Sequence, residues 1–92
     1  MYKIIVLPDA ERSLRKIAGG PLSRIIDKID WLQRNADNIV HHPLTSLPDE
    51  LKGLCRIRVG DYRVIYWINS DKKFIKIYSV EHRSRVYKSL GR

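Results

Sequence analysis

Three arginines lie close together around a short turn in the second half of the sequence. Arg56 and Arg58 precede Gly60-Asp61, and Arg63 follows it, within the run LCRIRVGDYRVIYW. Arginine binds phosphate through a planar, permanently charged fork of donors, whereas like charges that face each other on paired strands destabilise a sheet. The spacing therefore indicates an anion-binding surface. The alternative is a solvated outer face, on which long charged side chains cover apolar neighbours.

The Gly-Asp pair predicts a two-residue hairpin loop, and such a loop fixes the pairing of the strands that it joins. In this register Arg58 lies opposite Arg63, and Arg56 lies opposite Ile65. Because side chains alternate along a strand, Trp67 shares their side of the sheet, which we call the arginine face. The opposite face is mainly apolar and contains Cys55, Ile57, Val59, Tyr62, Val64 and Tyr66.

A third strand over residues 74–80 is predicted to continue the sheet after a polar turn. If Ile75 and Ile77 join the apolar face, the arginine face receives Lys76, Tyr78, Val80 and His82. Arginines interleaved with aromatic rings can bind phosphates and stack bases. Histidine can transfer protons near neutral pH, so His82, taken alone, is a candidate either for proton transfer or for hydrogen bonding at the end of the strand.

The first half of the chain must supply the layer that supports this sheet. Residues 2–7 are predicted to form a strand, and Pro8 and the acidic residues after it begin a helix. Gly19-Gly20 separates that helix from a second one with an apolar stripe. Residues 35–52 are interpreted as a loop and residues 84–90 as a short helix. The prediction is an α+β fold in the order β-α-α-β-β-β with a short C-terminal helix, a mostly antiparallel sheet and a helical hairpin on one face.

Composition limits the classes of function. The chain has 92 residues, 43% hydrophobic and 30% charged, which predicts one folded domain over residues 1–92. No segment approaches the ~20 apolar residues of a membrane span, and the N-terminal apolar run is too short for a signal peptide. A single cysteine excludes an intrachain disulfide, so we expect a cytoplasmic protein. The net charge of +8 favours polyanionic partners.

No pattern typical of a metal site is present, and we expect neither a metal nor another cofactor. His41 and His42 are adjacent and lack the spacing of a metal-binding pair, so we interpret both as surface residues. Cys55 is interpreted as core filler. Glu81 points away from His82 in an extended strand and is not expected to assist it.

The runs LKGLCRIRVGDYRVIYWI and IKIYSVEHRSRVYK resemble the core of RelE-type toxins, which belong to the RelE/ParE superfamily of toxin–antitoxin modules. The preceding strand and helix pair extend this resemblance over nearly the whole chain. It implies an mRNA endonuclease that works in the ribosomal A site, uses no metal and inhibits translation. The RNA 2′-hydroxyl would attack the adjacent phosphate. The implied partners are a cognate antitoxin, mRNA and ribosomal RNA.

The resemblance also assigns roles to residues. The catalytic residues that it implies are Arg63, His82, Arg83 and Tyr87. The residues expected to bind RNA or its phosphates are Lys52, Arg56, Arg58, Trp67 and Lys76.

The identity of the general base stays open at this point. The type member of the family has lysines where Arg56 and Arg58 stand, and arginine does not deprotonate in proteins. The base is therefore either His82 or Tyr87, whose phenolate the surrounding positive charge would favour. Apart from the resemblance, Tyr87 is interpreted as a packing residue of the short terminal helix.

Two other functions compete with the nuclease. ParE-type members of the superfamily inhibit DNA gyrase and share the G-x-Y-R strand and the late His-Arg pair. They usually lack the full set of basic residues and the terminal tyrosine, both of which are present here. A non-catalytic RNA-binding module is the third hypothesis.

Overall fold

The computed structural model describes residues 1–84, which form two helices packed on one face of a five-stranded sheet. The elements are β1 (Lys3–Val6), α1 (Pro8–Arg15), α2 (Gly19–Asn35), β2 (His42–Pro43), β3 (Cys55–Val59), β4 (Tyr62–Asn69) and β5 (Phe74–His82), with short 3-10 helices at Ala36–Asn38 and Asp49–Leu51. The predicted C-terminal helix, including Tyr87, lies outside the described residues.

The strand order is β1-β5-β4-β3-β2, with β1 parallel to β5 and the other neighbours antiparallel. The predicted α+β class, mostly antiparallel sheet and helical hairpin are confirmed. The segment interpreted as a loop contains one additional strand, the two-residue β2 at the edge of the sheet. No helix within residues 1–84 has the length and apolarity needed to cross a bilayer.

The helices bury a narrow apolar stripe against the sheet. Pro8 occupies the first turn of α1, where its missing N–H costs no hydrogen bond. Ala10 of α1 and Ile25 and Leu32 of α2 are fully buried. They pack with the apolar face of the sheet in one cluster. Ile26 lies off this stripe and is 52% exposed. The arginine face is consequently the side of the sheet away from this apolar cluster, although α1 borders it along β5.

The predicted register of the β3–β4 hairpin is confirmed. Gly60 has φ of 60°, in the left-handed region that glycine adopts without strain. Arg58 pairs with Arg63, and Arg56 pairs with Ile65. The two arginines that oppose each other therefore stand side by side on adjacent strands.

A β-bulge between β4 and β5 changes which residues of β5 reach the arginine face. Ile65 pairs with Ser79, but the next residue of β4 pairs with Ile77, so β5 contains one extra residue at Tyr78. After the bulge the alternation is reversed. The prediction that Val80 lies on the arginine face is wrong, since Val80 is 3% exposed and belongs to the core under the helices.

His82 follows the same reversed alternation. It pairs with Tyr62, a residue of the apolar face, and the two rings make an edge contact with centroids 5.3 Å apart. The prediction that His82 lies on the arginine face is therefore also wrong. Lys76, which pairs with Trp67, and Tyr78, whose ring contacts Trp67, lie on the arginine face as predicted.

A polar clamp joins the end of the helical layer to the first strand and the β4–β5 turn. The Tyr2 hydroxyl donates to Asp37 at 2.6 Å, and the Lys73 ammonium donates to the same carboxylate at 2.9 Å. The Tyr2 hydrogen bond first, and Lys73 second, lower the pKa of Asp37 below its ordinary value of 3.8. Asp37 in turn raises the pKa of Lys73 above its ordinary 10.5.

The opposed arginines should cost stability. Arg58→Thr is expected to raise the free energy of unfolding by up to about 1 kcal/mol more than Arg56→Thr, because only Arg58 has a like charge directly opposite. Both variants gain the same β propensity, which makes Arg56→Thr the matched control. Urea unfolding measures the difference, and high salt should reduce it by screening. Equal stabilisation in the two variants would refute repulsion across the pair.

The clamp predicts an acid-dependent contribution to stability. Since the pKa of Asp37 is lower in the folded protein, its contribution is present above about pH 4 and is lost as the pH falls through the folded value. Asp37→Asn is therefore expected to lower the urea midpoint near neutral pH and to match the wild type in strong acid. Asp71→Asn removes the same charge from an exposed turn and serves as the control. A deficit that persists unchanged into strong acid would contradict this account.

Candidate functional site

A cavity of about 260 Å³ lies on strands β2, β3 and β4, at the β2 edge of the sheet. Its lining residues are His42, Arg56, Ile57, Arg58 and Arg63. We call this cavity the arginine pocket. It unites the three arginines that the sequence singled out, and it adds an imidazole from β2.

The guanidinium groups of the arginine pocket form no ion pair within residues 1–84. The ion pairs within residues 1–84 involve other side chains, and Arg56, Arg58 and Arg63 take part in none of them. Arg56 and Arg58 are exposed, and Arg63 is half-buried. Guanidinium groups are weakly hydrated and match the oxygens of a phosphate in geometry. The pocket can therefore hold a phosphate or another oxyanion.

The two adjacent histidines have different positions, because neighbouring residues of an extended segment point to opposite faces. His41 turns toward the core, where its Nε2 donates to the Ala36 carbonyl at 2.8 Å. Its Nδ1 accepts from the Tyr66 hydroxyl at 2.6 Å. Burial first, with nearby Cys55 second, raises the pKa of Tyr66, so the phenol stays protonated and can donate. His41 is thus structural.

His42 lies on the other side of the chain and faces the arginines. It pairs directly with Arg56 and is exposed. The interpretation of His42 as an ordinary surface residue missed this position. The alternation of His41 and His42 in an extended segment could have indicated it, but no turn of defined length fixes the register of β2 against β3.

On the arginine face, Trp67 connects the sheet to the loop that precedes β3. The Trp67 indole donates to the Lys52 carbonyl at 2.9 Å, and its ring contacts that of Tyr78 at 5.3 Å between centroids. Gly53 has φ of 91°, and a Cβ there would lie 3.4 Å from the indole. This close approach holds the loop before β3 against the aromatic pair, and the exposed Lys52 side chain is paired with Asp49 at 3.5 Å.

The segment that follows β5 meets the turn of the β3–β4 hairpin at Arg83. The backbone N–H of Arg83 donates to the Asp61 carbonyl at 2.7 Å, which brings Arg83 to the same end of the sheet as Arg63. Glu81 pairs with Arg63 across β4 and β5 and lines a second cavity, beside Arg12 and Lys16 of α1. Since the bulge puts Glu81 on the arginine face, a carboxylate borders the basic cluster.

His82 stands one row beyond the arginine pocket and on the other face. Its Nδ1 accepts from the Ser84 backbone N–H at 3.4 Å and contacts the Ser84 hydroxyl at 3.0 Å. The structure thus brings Arg56, Arg58 and Arg63 together, and Trp67 and Lys76 lie further along the same face. Lys52 lies beside Trp67, outside the pocket. Tyr87 lies outside the described residues.

Comparison with known proteins connects this arrangement to toxins. The crystal structure of the toxin–antitoxin complex RelBE2 from Mycobacterium tuberculosis contains a chain with 29% identity and a TM-score of 0.72, covering 89% of this chain and 98% of that one. The archaeal RelE–RelB complex from Pyrococcus horikoshii gives 27% identity and a TM-score of 0.70, with coverages of 91% and 97%.

The isolated RelE toxin of E. coli shares the fold at 20% identity, with a TM-score of 0.71 and coverages of 97% and 94%. No curated protein matches the sequence significantly. A family model described as the ParE toxin of the type II toxin–antitoxin system parDE matches residues 4–87. With nearly its whole length covered, the chain belongs to this ParE toxin family and is a type II toxin of the RelE/ParE superfamily.

Proposed function

We propose that this toxin is a metal-independent endoribonuclease, which cuts mRNA in the ribosomal A site and thereby inhibits translation. One observation carries the proposal. Arg56, Arg58 and Arg63 line one pocket, and none of them has an ion-pair partner within residues 1–84. Such a cluster costs folding stability unless an anion occupies it. The phosphate of an RNA backbone is the anion that a toxin acting on mRNA would bind there.

The reaction in this proposal is attack of the RNA 2′-hydroxyl on its own adjacent phosphate. Negative charge then accumulates on the phosphoryl oxygens, and guanidinium groups already in place stabilise it without reorganisation. Arg63 is central, because it is held between the two neighbouring strands and is half-buried. Arg83, tied to the hairpin turn at the same end of the sheet, is the second candidate for this role.

The remainder of the arginine face would bind RNA on either side of the cut. Trp67 and Tyr78 offer aromatic surface to a base, and stacking of this kind is worth about 1–3 kcal/mol per base. Lys76, beside Trp67, and Lys52, in the loop before β3, would bind flanking phosphates or ribosomal RNA. The fully buried Ile65 lies beneath the polar side chains of this surface and supports them.

A cognate antitoxin is the proposed protein partner. The M. tuberculosis and P. horikoshii structures are complexes of a toxin with its antitoxin. The net charge of +8 would accelerate association with an acidic antitoxin segment, and either the groove between helices and sheet or the arginine face could receive it. Contact with the arginine face would also block the proposed RNA site. We propose a cytoplasmic location, where translating ribosomes are found.

Inhibition of DNA gyrase is the second candidate, because the family model that matches residues 4–87 is that of ParE toxins. In that case the arginine face would bind a protein or DNA without cutting a phosphodiester. The arginine pocket and the Trp67–Tyr78 pair favour the nuclease, since they combine phosphate ligands with an aromatic surface suited to single-stranded RNA.

A paired assay separates these functions. The purified wild-type toxin is expected to cut mRNA during in vitro translation and to leave gyrase supercoiling unaffected. Arg63→Gln is expected to lower the cleavage rate by about 10²-fold or more, because it removes a preorganised donor to the developing charge. Arg24→Gln removes an equal charge from α2, on the helical side of the sheet, and should cleave like the wild type.

Two other results would each reject the nuclease, and a third would reject the role of the arginine pocket in it. Blocked supercoiling with intact mRNA would identify a gyrase inhibitor. Binding to ribosomes or RNA without cleavage would identify a non-catalytic module. Equal loss of cleavage in Arg63→Gln and Arg24→Gln would mean that net charge, and not the arginine pocket, supports the activity.

A further inference from the structure

The arginine pocket contains one polar side chain that the proposed function leaves without a role, the imidazole of His42. We propose that His42 is the general base of the cleavage reaction, an inference that rests on the nuclease function proposed above. It would accept the proton of the attacking 2′-hydroxyl while the arginines hold the phosphate.

Position is the first argument. His42 pairs with Arg56 in the β2–β3 ladder, and side chains of directly paired residues have Cβ atoms about 5 Å apart. The next pair along the same face is Arg58 with Arg63. The imidazole is thus a neighbour of the guanidinium groups that would hold the scissile phosphate. The 2′-oxygen belongs to the ribose bonded to that phosphate, so a group beside the phosphate site is within reach of it.

The chain fixes this position from the opposite side of the sheet. The hydrogen bonds of His41 to Tyr66 and to the Ala36 carbonyl anchor the residue before His42. The Leu44 N–H donates to the Leu54 carbonyl at 2.8 Å and anchors the segment after it. With both flanks held, alternation directs His42 into the pocket although β2 is only two residues long.

Chemistry is the second argument. Of the side chains that line the pocket, three are guanidinium groups, which do not deprotonate, and Ile57 is apolar. Among the lining residues within positions 1–84, only the imidazole can accept a proton from a hydroxyl near neutral pH. Within residues 1–84 no hydrogen bond engages its ring nitrogens, so the neutral ring has a lone pair available.

The rival imidazole is less well arranged. His82 uses Nδ1 to accept from Ser84, which leaves the ring proton on Nε2 when the ring is neutral. Neither nitrogen then offers a free lone pair to a substrate. His82 also pairs with Tyr62 on the helix-covered face, away from the phosphate ligands. It would have to break these contacts to serve as the base.

The proposed step balances in protons and bonds. His42 takes the proton from the 2′-hydroxyl as the 2′-oxygen bonds to phosphorus, and the bond from phosphorus to the 5′-oxygen breaks. The leaving 5′-oxygen takes a proton from a water molecule, and the imidazolium later returns its proton to solvent. The products are a 2′,3′-cyclic phosphate and a 5′-hydroxyl end.

The charges around His42 bear on the pH dependence. It lies on the edge strand β2, which is hydrogen-bonded to β3, and the charged groups within residues 1–84 that face it are Arg56 and Arg58 of β3 and Arg63 of β4. The nearest carboxylate on this face by register is Glu81, on the far side of Arg63. Cleavage should rise with pH along an acidic limb, because a protonated imidazole cannot accept the 2′-hydroxyl proton.

The test is single-turnover cleavage of a defined mRNA on programmed ribosomes, measured over a range of pH and toxin concentration. At saturating toxin, His42→Gln is expected to cut about 10²- to 10⁴-fold more slowly than the wild type and to lose the acidic limb. The toxin concentration giving half-maximal rate should change by less than about threefold, because glutamine leaves the phosphate ligands in place. His42→Ala should regain activity on addition of free imidazole.

Matched variants distinguish the base from its neighbours. Arg58→Gln should raise the half-saturating concentration, lower the rate and not respond to imidazole, because it loses a phosphate ligand and not a base. His82→Gln should keep the acidic limb. Arg24→Gln should behave as the wild type. Since His42 is exposed, its variants are expected to fold, and their urea midpoints check this.

Each remaining outcome overturns the inference in a recognisable way. If wild-type toxin does not cut mRNA, the nuclease function fails, and the base role fails with it. If the wild type cuts and His42→Gln keeps both rate and acidic limb, the nuclease stands and His42 is not its base. A change confined to half-saturation would make His42 a ligand only. Loss of the acidic limb in His82→Gln alone would transfer the role to His82.

Discussion

The register of the β3–β4 hairpin is the constraint on which the rest of the site depends. A two-residue loop with Gly60 in the left-handed region allows one pairing of the two strands. A slip by one residue would exchange the two faces, burying arginines under the helices and exposing the core. The same buried residues that prevent this slip, above all Val64 and Tyr66, therefore also keep Arg58 opposite Arg63.

The bulge in β5 is the second feature that determines the site, because it changes which residues of β5 lie on the arginine face. Before the bulge, Lys76 shares the arginine face with Trp67; after it, Glu81 takes that face and Val80 enters the core. The extra residue, Tyr78, contacts the Trp67 ring. The extra residue thus adds an aromatic ring to the arginine face. It also reverses the alternation of the residues that follow, so that the apolar Val80 packs in the core.

The sequence was informative where local chemistry dictates geometry. The Gly-Asp loop, the Pro8 helix start and the helical stripes predicted both helices, the β3–β4 hairpin and the grouping of the arginines correctly. The helix boundary was predicted wrongly, because Gly19 and Gly20 begin α2 and do not separate it from α1. The sequence was uninformative where long-range pairing decides. No residue type marks the bulge at Tyr78, so the face of His82 was predicted wrongly. The two-residue β2 has too few side chains to form a periodic pattern, so His42 was missed. The role of Tyr87 stays a prediction.

The stability cost of the clustered arginines is limited by the apolar residues beneath them. Ile65 and Leu54 are fully buried on or beside it, outside the main core cluster, so the face has its own apolar support. Surface arginines can extend over such apolar residues while their heads remain in water. Repulsion between them is then limited to about 1 kcal/mol per opposed pair, which a domain of ordinary stability tolerates. The main core can therefore maintain the fold while the arginine face carries three guanidinium groups around one cavity.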